Sequence, residues 1–394
     1  HTHTERERGK ERTTRGIMIE GVGVFEEDPY DGELEMVWSM PLHYPHQGML
    51  AQCALCALQE LQEAKEEAFV FAVCGKRHFY IRAFEGGRKV TAGEQQQHVE
   101  GEEDSEERNL APAWKTRHPN FAIVIETEEY FVDKYRALLD VAAEEFASSD
   151  RDMTLLSGVY FVNYQGSWKM DGRLIFSPEE YNQAESLLPK REILCPLIEK
   201  AGVSAICKLW AGVLLKKRVA ITGSSRSAVA DATRVLACLA WYRKDFSMIR
   251  PFVGLDMPEL MADLRDTPHW IAGFVGSHSS VRDRDDLYDL LLDLDSTSVS
   301  VALHAQDVFS SDSVYRKAIG AELESSKGEG DPLVLKSIAD KVKELLRELQ
   351  AVHQTVSQEQ GDDALITLRD IKARGHADGA ADFLFRLAQA EKLA

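Results

Sequence analysis

The sequence predicts two lobes of different fold class, an α+β lobe in residues 16–165 and an α/β lobe in residues 191–394. The strongest indication is the stretch 206–255, where an apolar helix, a β-rich run, a small-residue loop, a second helix and a second apolar run follow one another. This alternation is the repeat unit of a doubly wound sheet. The first half instead groups its strands, and 394 residues exceed what one core usually holds.

The first lobe is predicted to open with a hairpin, because two alternating runs flank a turn that contains Pro29 and Gly32. A helix is expected over residues 48–67, where apolar side chains recur at helical spacing. The polar and acidic stretch 86–108 is expected to be a solvated loop. The expected strands are 17–25, 34–40, 68–74, 78–84 and 121–125, and a second helix is expected at 130–146.

Residues 166–190 are punctuated by glycine and proline and are predicted to link the two lobes. After residue 255, a helix is expected with Asp256 as its N-cap and Pro258 in its first turn. The polar stretch 310–332 is expected to be loose. The remaining predicted elements are strands at 270–275, 287–294 and 299–303 and helices at 338–349 and 380–393.

Charge and composition exclude several classes of function. The net charge of −19 argues against binding nucleic acid or anionic lipid by bulk charge. The sequence has no apolar run of the length, about 18 residues, that a transmembrane helix needs. Six cysteines without a visible signal peptide imply a reducing compartment, by default the cytoplasm. Residues 1–15 lack apolar side chains and are expected to form a disordered leader.

The most enzyme-like motif is Asp293-x-Asp295-x-Thr297, which follows an apolar run. It resembles the nucleophile motif of the haloacid-dehalogenase phosphatases, in which one carboxylate attacks phosphorus, the other handles the proton and magnesium neutralises the phosphate. The alternative is a strand that ends in solvated acids. The late position of the motif in the chain and the strand predicted after it favour that alternative over a magnesium-dependent phosphatase.

Two loops resemble reaction or anion sites only in part. The loop 223–227 could hold a phosphate through its amides, but it has neither the P-loop lysine nor the Gly-x-Gly-x-x-Gly pattern. The sequence Gly276-Ser277-His278 lacks the second glycine of a nucleophile elbow. A connecting loop and a surface turn are the simpler interpretations.

Four potential zinc ligands, His43, His46, Cys53 and Cys56, lie close in sequence, but both cysteines fall on the apolar face of a predicted helix. The basic run 216–218 suits the negative end of the preceding helix, although it could also meet an acidic partner. The tryptophans within apolar runs are expected in the core; they are Trp210, Trp241 and Trp270. Since no nucleophile, base and orienting group occur together, we expect a binding or regulatory protein without catalytic residues, metal or cofactor.

Six strings in collinear order resemble the DENN family. Together they span nearly all of the chain from residue 17. They are Gly21-Val-Gly-Val-Phe-Glu-Glu-Asp28, Leu214-Leu-Lys-Lys-Arg-Val219, Leu239-Ala-Trp-Tyr-Arg-Lys-Asp-Phe246, Trp270-Ile-Ala-Gly-Phe-Val275, Asp286-Leu-Tyr-Asp-Leu290 and Asp382-Phe-Leu-Phe-Arg-Leu-Ala-Gln-Ala-Glu391. The acidic run 102–107 and the stretch 310–332 look like insertions relative to the family.

The resemblance implies a longin-like lobe, a linker and a Rossmann-like DENN lobe with trailing helices. It also implies guanine nucleotide exchange on a Rab GTPase docked between the lobes, in late-endosomal trafficking with peripheral membrane association. The alternative it implies is a non-catalytic scaffold bound to the coiled-coil subunits of the Commander assembly. We expect the GTPase interface to include four residues, namely Trp241, Arg243, Lys244 and Arg226.

Overall fold

The computed structural model describes residues 19–28, 31–41, 46–62, 68–85, 119–149, 151–181, 188, 191–243, 245–275, 278–309, 314–325, 328–361 and 364–394. The leader 1–15 and the acidic run 102–107 lie outside these residues. The chain divides into two compact units, and the main boundary falls between positions 187 and 188. None of the helices described is long and apolar enough to cross a membrane.

The first unit is built on a five-stranded sheet. Its strands are β1 (Ile19–Glu27), β2 (Leu34–Met40), β3 (Phe69–Cys74), β4 (Arg77–Glu85) and β5 (Asn120–Thr127), and its helices are α1 (Gln47–Gln62), α2 (Val132–Ser148) and α3 (Leu156–Gln165). The strand order is β2-β1-β5-β4-β3, and the pairs β1–β2, β1–β5 and β4–β5 run antiparallel. The central strand β5 is buried from Phe121 to Thr127. Both of its faces are therefore covered, since side chains alternate along a strand, and α1 and α2 both contact it.

A buried polar cluster lies beneath the start of α2. The Lys134 ammonium donates to the Glu129 carboxylate at 2.7 Å, and the side chains are only 4% and 5% exposed. The Tyr135 hydroxyl donates to the same carboxylate oxygen. The Tyr80 hydroxyl donates to the Glu129 carbonyl at 2.9 Å and accepts the Phe131 amide at 3.2 Å. Each buried charge thus has a partner, which offsets the cost of desolvation.

The second unit contains the parallel sheet that the sequence predicts. Its strands are β8 (Val219–Gly223), β9 (Ile249–Val253), β10 (Ile271–Val275), β11 (Leu290–Asp293) and β12 (Ser298–Val301). Two strands that precede them in the chain, β6 (Trp168–Met170) and β7 (Arg173–Phe176), form a separate hairpin that belongs to the first unit. The order is β12-β11-β8-β10-β9, with only β12 antiparallel to its neighbour. β9 is an edge strand and carries Pro251, which is tolerated there because an edge residue needs no outward donor.

Helices surround this sheet and extend beyond it. They are α4 (Leu194–Ala201), α5 (Val203–Leu214), α6 (Arg226–Ala237), α7 (Pro258–Asp266), α8 (His278–Arg282), α9 (Gln306–Phe309), α10 (Val314–Ser325), α11 (Asp331–Gln360), α12 (Leu368–Lys372) and α13 (Asp378–Ala390). The backbone approaches closely at Gly273, where a Cβ would lie 2.5 Å from the Pro251 carbonyl oxygen and from Val229. Trp210 of α5 stacks on Phe383 of α13 with ring centroids 5.5 Å apart.

The predicted fold class, an α+β lobe followed by an α/β lobe, is confirmed, but three local predictions differ. The stretch 310–332 is not loose throughout, because α10 forms there with Ile319 and Leu323 buried. Asp256 is not the N-cap of α7; Met257 holds that position. Helix α3 was not predicted, although Leu156, Val159 and Val162 repeat at a spacing of three along its buried face.

Candidate functional site

The predicted interface segment follows α6 directly. Residues Cys238–Arg243 form a 3₁₀ turn in which Ala240 departs from helical geometry, with φ −114° and ψ 38°. This break redirects the chain from α6 toward β9. Trp241 is half-buried and packs edge-on against Phe246, with ring centroids 5.8 Å apart. Trp241 is therefore less buried than predicted. Trp210 and Trp270 lie in the core, as predicted.

Arg243 is held inside the second unit by hydrogen bonds in several directions. Its guanidinium donates to the carbonyls of Val213, at 2.9 Å, and Leu214, at 2.5 Å, at the end of α5. Its Nε donates to Oε1 of Glu391 at 3.1 Å, and the Tyr242 hydroxyl donates to the same oxygen at 2.8 Å. The Arg243 side chain is only 7% exposed. It therefore caps α5 and ties that helix to the end of α13.

The charges around Arg243 shift one another's pKa. Burial raises the pKa of Glu391, but the hydrogen bonds and charge of Arg243 and the bond from Tyr242 outweigh it, so the net shift is downward. Burial, with Arg243 and Lys392 nearby, lowers the pKa of Lys216. Burial and then the charge of Lys216 lower the pKa of His269. The cluster therefore carries fixed positive charge beside a histidine that resists protonation.

The four predicted interface residues do not form one patch. Arg226 is the first residue of α6 and is half-buried, whereas Trp241 and Arg243 follow the other end of that helix. A helix of 12 residues is about 18 Å long, so Arg226 and Trp241 are well separated. Lys244 lies outside the described residues. The interface role of all four stays a prediction.

Comparison with known proteins gives one consistent family. The family model "SPA: Stabilization of polarity axis" matches residues 193–303. DENN domain-containing protein 10 from Danio rerio is 29% identical over 277 residues, which cover 70% of this chain and 76% of the relative. The protein of that name from Dictyostelium discoideum is 29% identical over 275 residues, 69% and 73% of the two chains. The one from Homo sapiens is 23% identical over 385 residues, 95% and 96%.

These relatives, at 22–29% identity over most of the chain, are all named for the DENN domain, which supports a place for this chain in the DENN family. The family in general is related to guanine nucleotide exchange on Rab GTPases. The matched segment 193–303 begins at the N-cap of α4 and ends just after β12, so it contains all five strands of the second sheet. Trp241, Arg243 and Arg226 lie within this matched segment. Glu391, the ionic partner of Arg243, lies beyond it.

The acidic motif that begins at Asp293 forms the turn of a hairpin between β11 and β12. Oδ1 of Asp293 accepts the amides of Asp295, at 3.0 Å, and Ser296, at 3.2 Å, and its Oδ2 accepts a bond from Arg282 at 3.1 Å. Thr297 adopts a φ of 50° as β11 turns back into β12. Burial raises the pKa of Asp293, but these hydrogen bonds lower it overall. One carboxylate oxygen is thus engaged in the turn and the other with Arg282 of α8, which favours the interpretation of the motif as a strand end over a phosphatase centre.

Two of the other candidate sites have structural explanations. Cys53 is buried in α1, and the described residues contain no group of three or more potential metal ligands. His43, Gly276 and Ser277 lie outside the residues described. In the loop 223–227, the Ser225 hydroxyl caps α6 by accepting the Ala228 amide at 3.3 Å.

Sequence reasoning missed the partner of Arg243. Glu391 is 148 positions away, and a single sequence carries no signal that pairs the two. Asp331 was missed for the same reason. Its carboxylate, at the start of α11, accepts the amides of Ile193, Leu194 and Cys195 at 2.6–2.7 Å and so caps α4. In the sequence, the hint to such a long-range partner would have been an acidic residue expected to be buried but with no basic residue close to it.

Proposed function

We propose that this protein is a guanine nucleotide exchange factor for a Rab GTPase, acting at late endosomes with peripheral membrane association. The observation that carries the proposal is the family match, which includes every strand of the second sheet. Exchange needs no bond chemistry. The factor must hold the nucleotide-free GTPase far more tightly than the loaded form, and reversing a 1:99 population requires a preference of about 10⁴-fold.

Among the predicted interface residues, Trp241 and Arg226 are better suited to contact a GTPase than Arg243. Trp241 is half-buried, so its ring combines a fixed orientation with accessible area, as interface aromatics often do. The Arg243 guanidinium is already hydrogen-bonded to Glu391 and to two backbone carbonyls. In this proposal Arg243 positions the turn that carries Trp241, and Arg226 contributes to electrostatic attraction at a second point.

Release of fluorescent GDP from a panel of Rab proteins tests the proposal. We expect the intact chain at micromolar concentration to accelerate release from at least one Rab, and Trp241→Ala to lower that acceleration about tenfold, as loss of an interface anchor does. Tyr164→Ala is a matched control, because Tyr164 is an exposed aromatic residue of the first unit. If no Rab is accelerated above its intrinsic rate, the proposal is wrong.

One observation favours the alternative, a DENN scaffold that binds coiled-coil subunits such as those of Commander. Helix α3 has an exposed aromatic face, on which Phe161 is 36% and Tyr164 59% exposed, and Leu174 of β7 is 56% exposed. The Phe161 and Tyr164 rings are neighbours, with centroids 6.3 Å apart, and contiguous exposed apolar surface can mark a protein-binding site. In a pull-down, Tyr164→Ala should then reduce recovery of the coiled-coil subunits while Trp241→Ala does not. Failure to recover any such subunit would count against the scaffold.

A further inference from the structure

A depression with a volume of about 370 Å³ lies in the second unit near the amino ends of the parallel strands. Three arginines from separate segments line it. Arg218 directly precedes β8, Arg265 is in the last turn of α7, and Arg284 follows α8. Among the residues that line it, Asp286 alone carries a negative charge. Three guanidinium groups thus converge at one depression in a chain whose net charge is −19.

Two of these arginines are held in place and the third is available. The Arg218 guanidinium donates to the Asp286 carbonyl at 3.1 Å and lies 3.3 Å from Nε2 of His304. Arg284 donates to the Asp286 carboxylate at 3.2 Å and remains 47% exposed. Arg265 is exposed, and within the described part of the chain it forms no ion pair. The depression therefore offers two guanidinium groups that are held in position, those of Arg218 and Arg284, and the exposed guanidinium of Arg265.

Apolar side chains also line the depression; they are those of Leu264, Pro268, Trp270 and Leu287. Apolar surface beside guanidinium groups lowers the local dielectric constant and strengthens their attraction for an anion. A guanidinium presents its donors in a planar fork that matches the oxygens of a phosphate, and several forks around one point favour a multiply charged anion over a single carboxylate. The volume falls in the range of small-molecule sites, roughly 300–1,000 Å³.

We propose that this depression binds a phosphate-bearing group of headgroup size, either the phosphorylated headgroup of an inositol lipid or a soluble phosphate ester of similar size. The proposal does not depend on exchange activity. Asp289, which lies next to the depression, accepts the backbone amide of Arg218 at 2.7 Å, pairs with the Arg218 guanidinium at 3.5 Å and lies 3.0 Å from Nε2 of His304. Part of the Arg218 charge is therefore balanced by Asp289, and Arg265 and Arg284 are the main cations for a ligand. Asp283 and Asp285 are exposed and do not line the depression.

Two binding measurements test the proposal with the full chain. In the first, free inositol trisphosphate is titrated calorimetrically. In the second, the chain is floated with phosphatidylcholine vesicles that contain or lack phosphatidylinositol bisphosphate. Arg265→Gln should weaken binding about tenfold, because a charge-assisted hydrogen bond is lost. Arg369→Gln is the matched control, since Arg369 is also exposed in the last turn of a helix, α12, away from the depression.

Each outcome supports or overturns the proposed phosphate site. Binding of both the free headgroup and the lipid vesicles identifies a lipid site, and binding of the free headgroup alone identifies a soluble phosphate ester. The proposal is overturned if neither probe binds, or if the two arginine variants weaken binding equally. It is also overturned if an acidic peptide displaces the trisphosphate at equal concentration, since the site would then recognise negative charge on a protein. A thermal melt confirms that both variants are folded.

Discussion

Breaking the ion pair between Arg243 and Glu391 should destabilise the second unit by about 3 kcal/mol. Removing the carboxylate by Glu391→Ala leaves a guanidinium that is 7% exposed without its charge partner and deprives the Tyr242 hydroxyl of its acceptor. Loss of one member of a buried ion pair costs about 3–5 kcal/mol. Because the Glu391 side chain is itself 20% exposed, water partly compensates, and we expect about 3 kcal/mol.

The neutral variant separates charge from hydrogen bonding. Glu391→Gln keeps an acceptor for Arg243 and Tyr242 but loses the negative charge, so we expect a cost of about 1.5 kcal/mol at neutral pH. The folded-state pKa of Glu391 lies below its ordinary value of 4.5. Its contribution is therefore fully present above that value and is lost as pH falls through the lowered pKa. The difference between the wild-type protein and Glu391→Gln should shrink accordingly at acid pH.

Urea unfolding followed by tryptophan fluorescence measures these costs, provided that the slope with denaturant is unchanged. Hydrogen exchange over α5 and α13 adds a local measurement, because a two-unit chain need not unfold in one step. Glu344→Ala serves as a control, since Glu344 is 60% exposed and paired only with Lys341 within α11. A cost below about 0.5 kcal/mol for Glu391→Ala, equal to that of the control, would refute the reasoning.

Three further outcomes follow from buried groups. Lys134→Met should lower the free energy of unfolding in urea by about 3 kcal/mol, because it leaves the buried Glu129 carboxylate without its ionic partner. The control Lys343→Met, at a side chain that is 54% exposed, should lower it by less than about 0.5 kcal/mol. Gly273→Ala should cost about 2–3 kcal/mol, since its Cβ would meet backbone at 2.5 Å, while Gly379→Ala, with nothing within 4 Å, should be neutral or stabilising. His269 has a lowered pKa in the folded state, so the folded state binds fewer protons than the unfolded state, and the free energy of unfolding should fall as pH drops below about 6.5. In urea denaturation at several pH values, His269→Gln should show a weaker dependence of stability on pH.

The arrangement of strands followed from the sequence more reliably than the site did. Alternation in 17–25 and the apolar runs 219–222 and 287–294 predict strands through local periodicity, and the described residues form β1 from Ile19, β8 from Val219 and β11 from Leu290 at these places. Helix α10 was missed because its buried residues Ile319 and Leu323 are few among polar neighbours. Its position is decided by packing against α5, which is a tertiary effect.

The predicted interface shows why a single sequence places side chains poorly. Arg243 looked available because it follows an apolar run and precedes Lys244. Its side chain instead turns inward, toward an acid 148 positions away. Likewise, Arg218, Arg265 and Arg284 are separated by other elements in the sequence and meet only in the folded unit. Charge pairing over such separations is set by topology, which composition and spacing do not encode.

The proline in the outer strand of the second sheet affects how copies of this chain meet. β9 is the outer strand of this sheet, and its register against β10 shifts between Arg250 and Val253, where Pro251 lies. A strand from another molecule that aligned there would find no donor at Pro251. Natural proteins blunt open strand edges in this way, and the result is resistance to ribbon-like aggregation at high concentration.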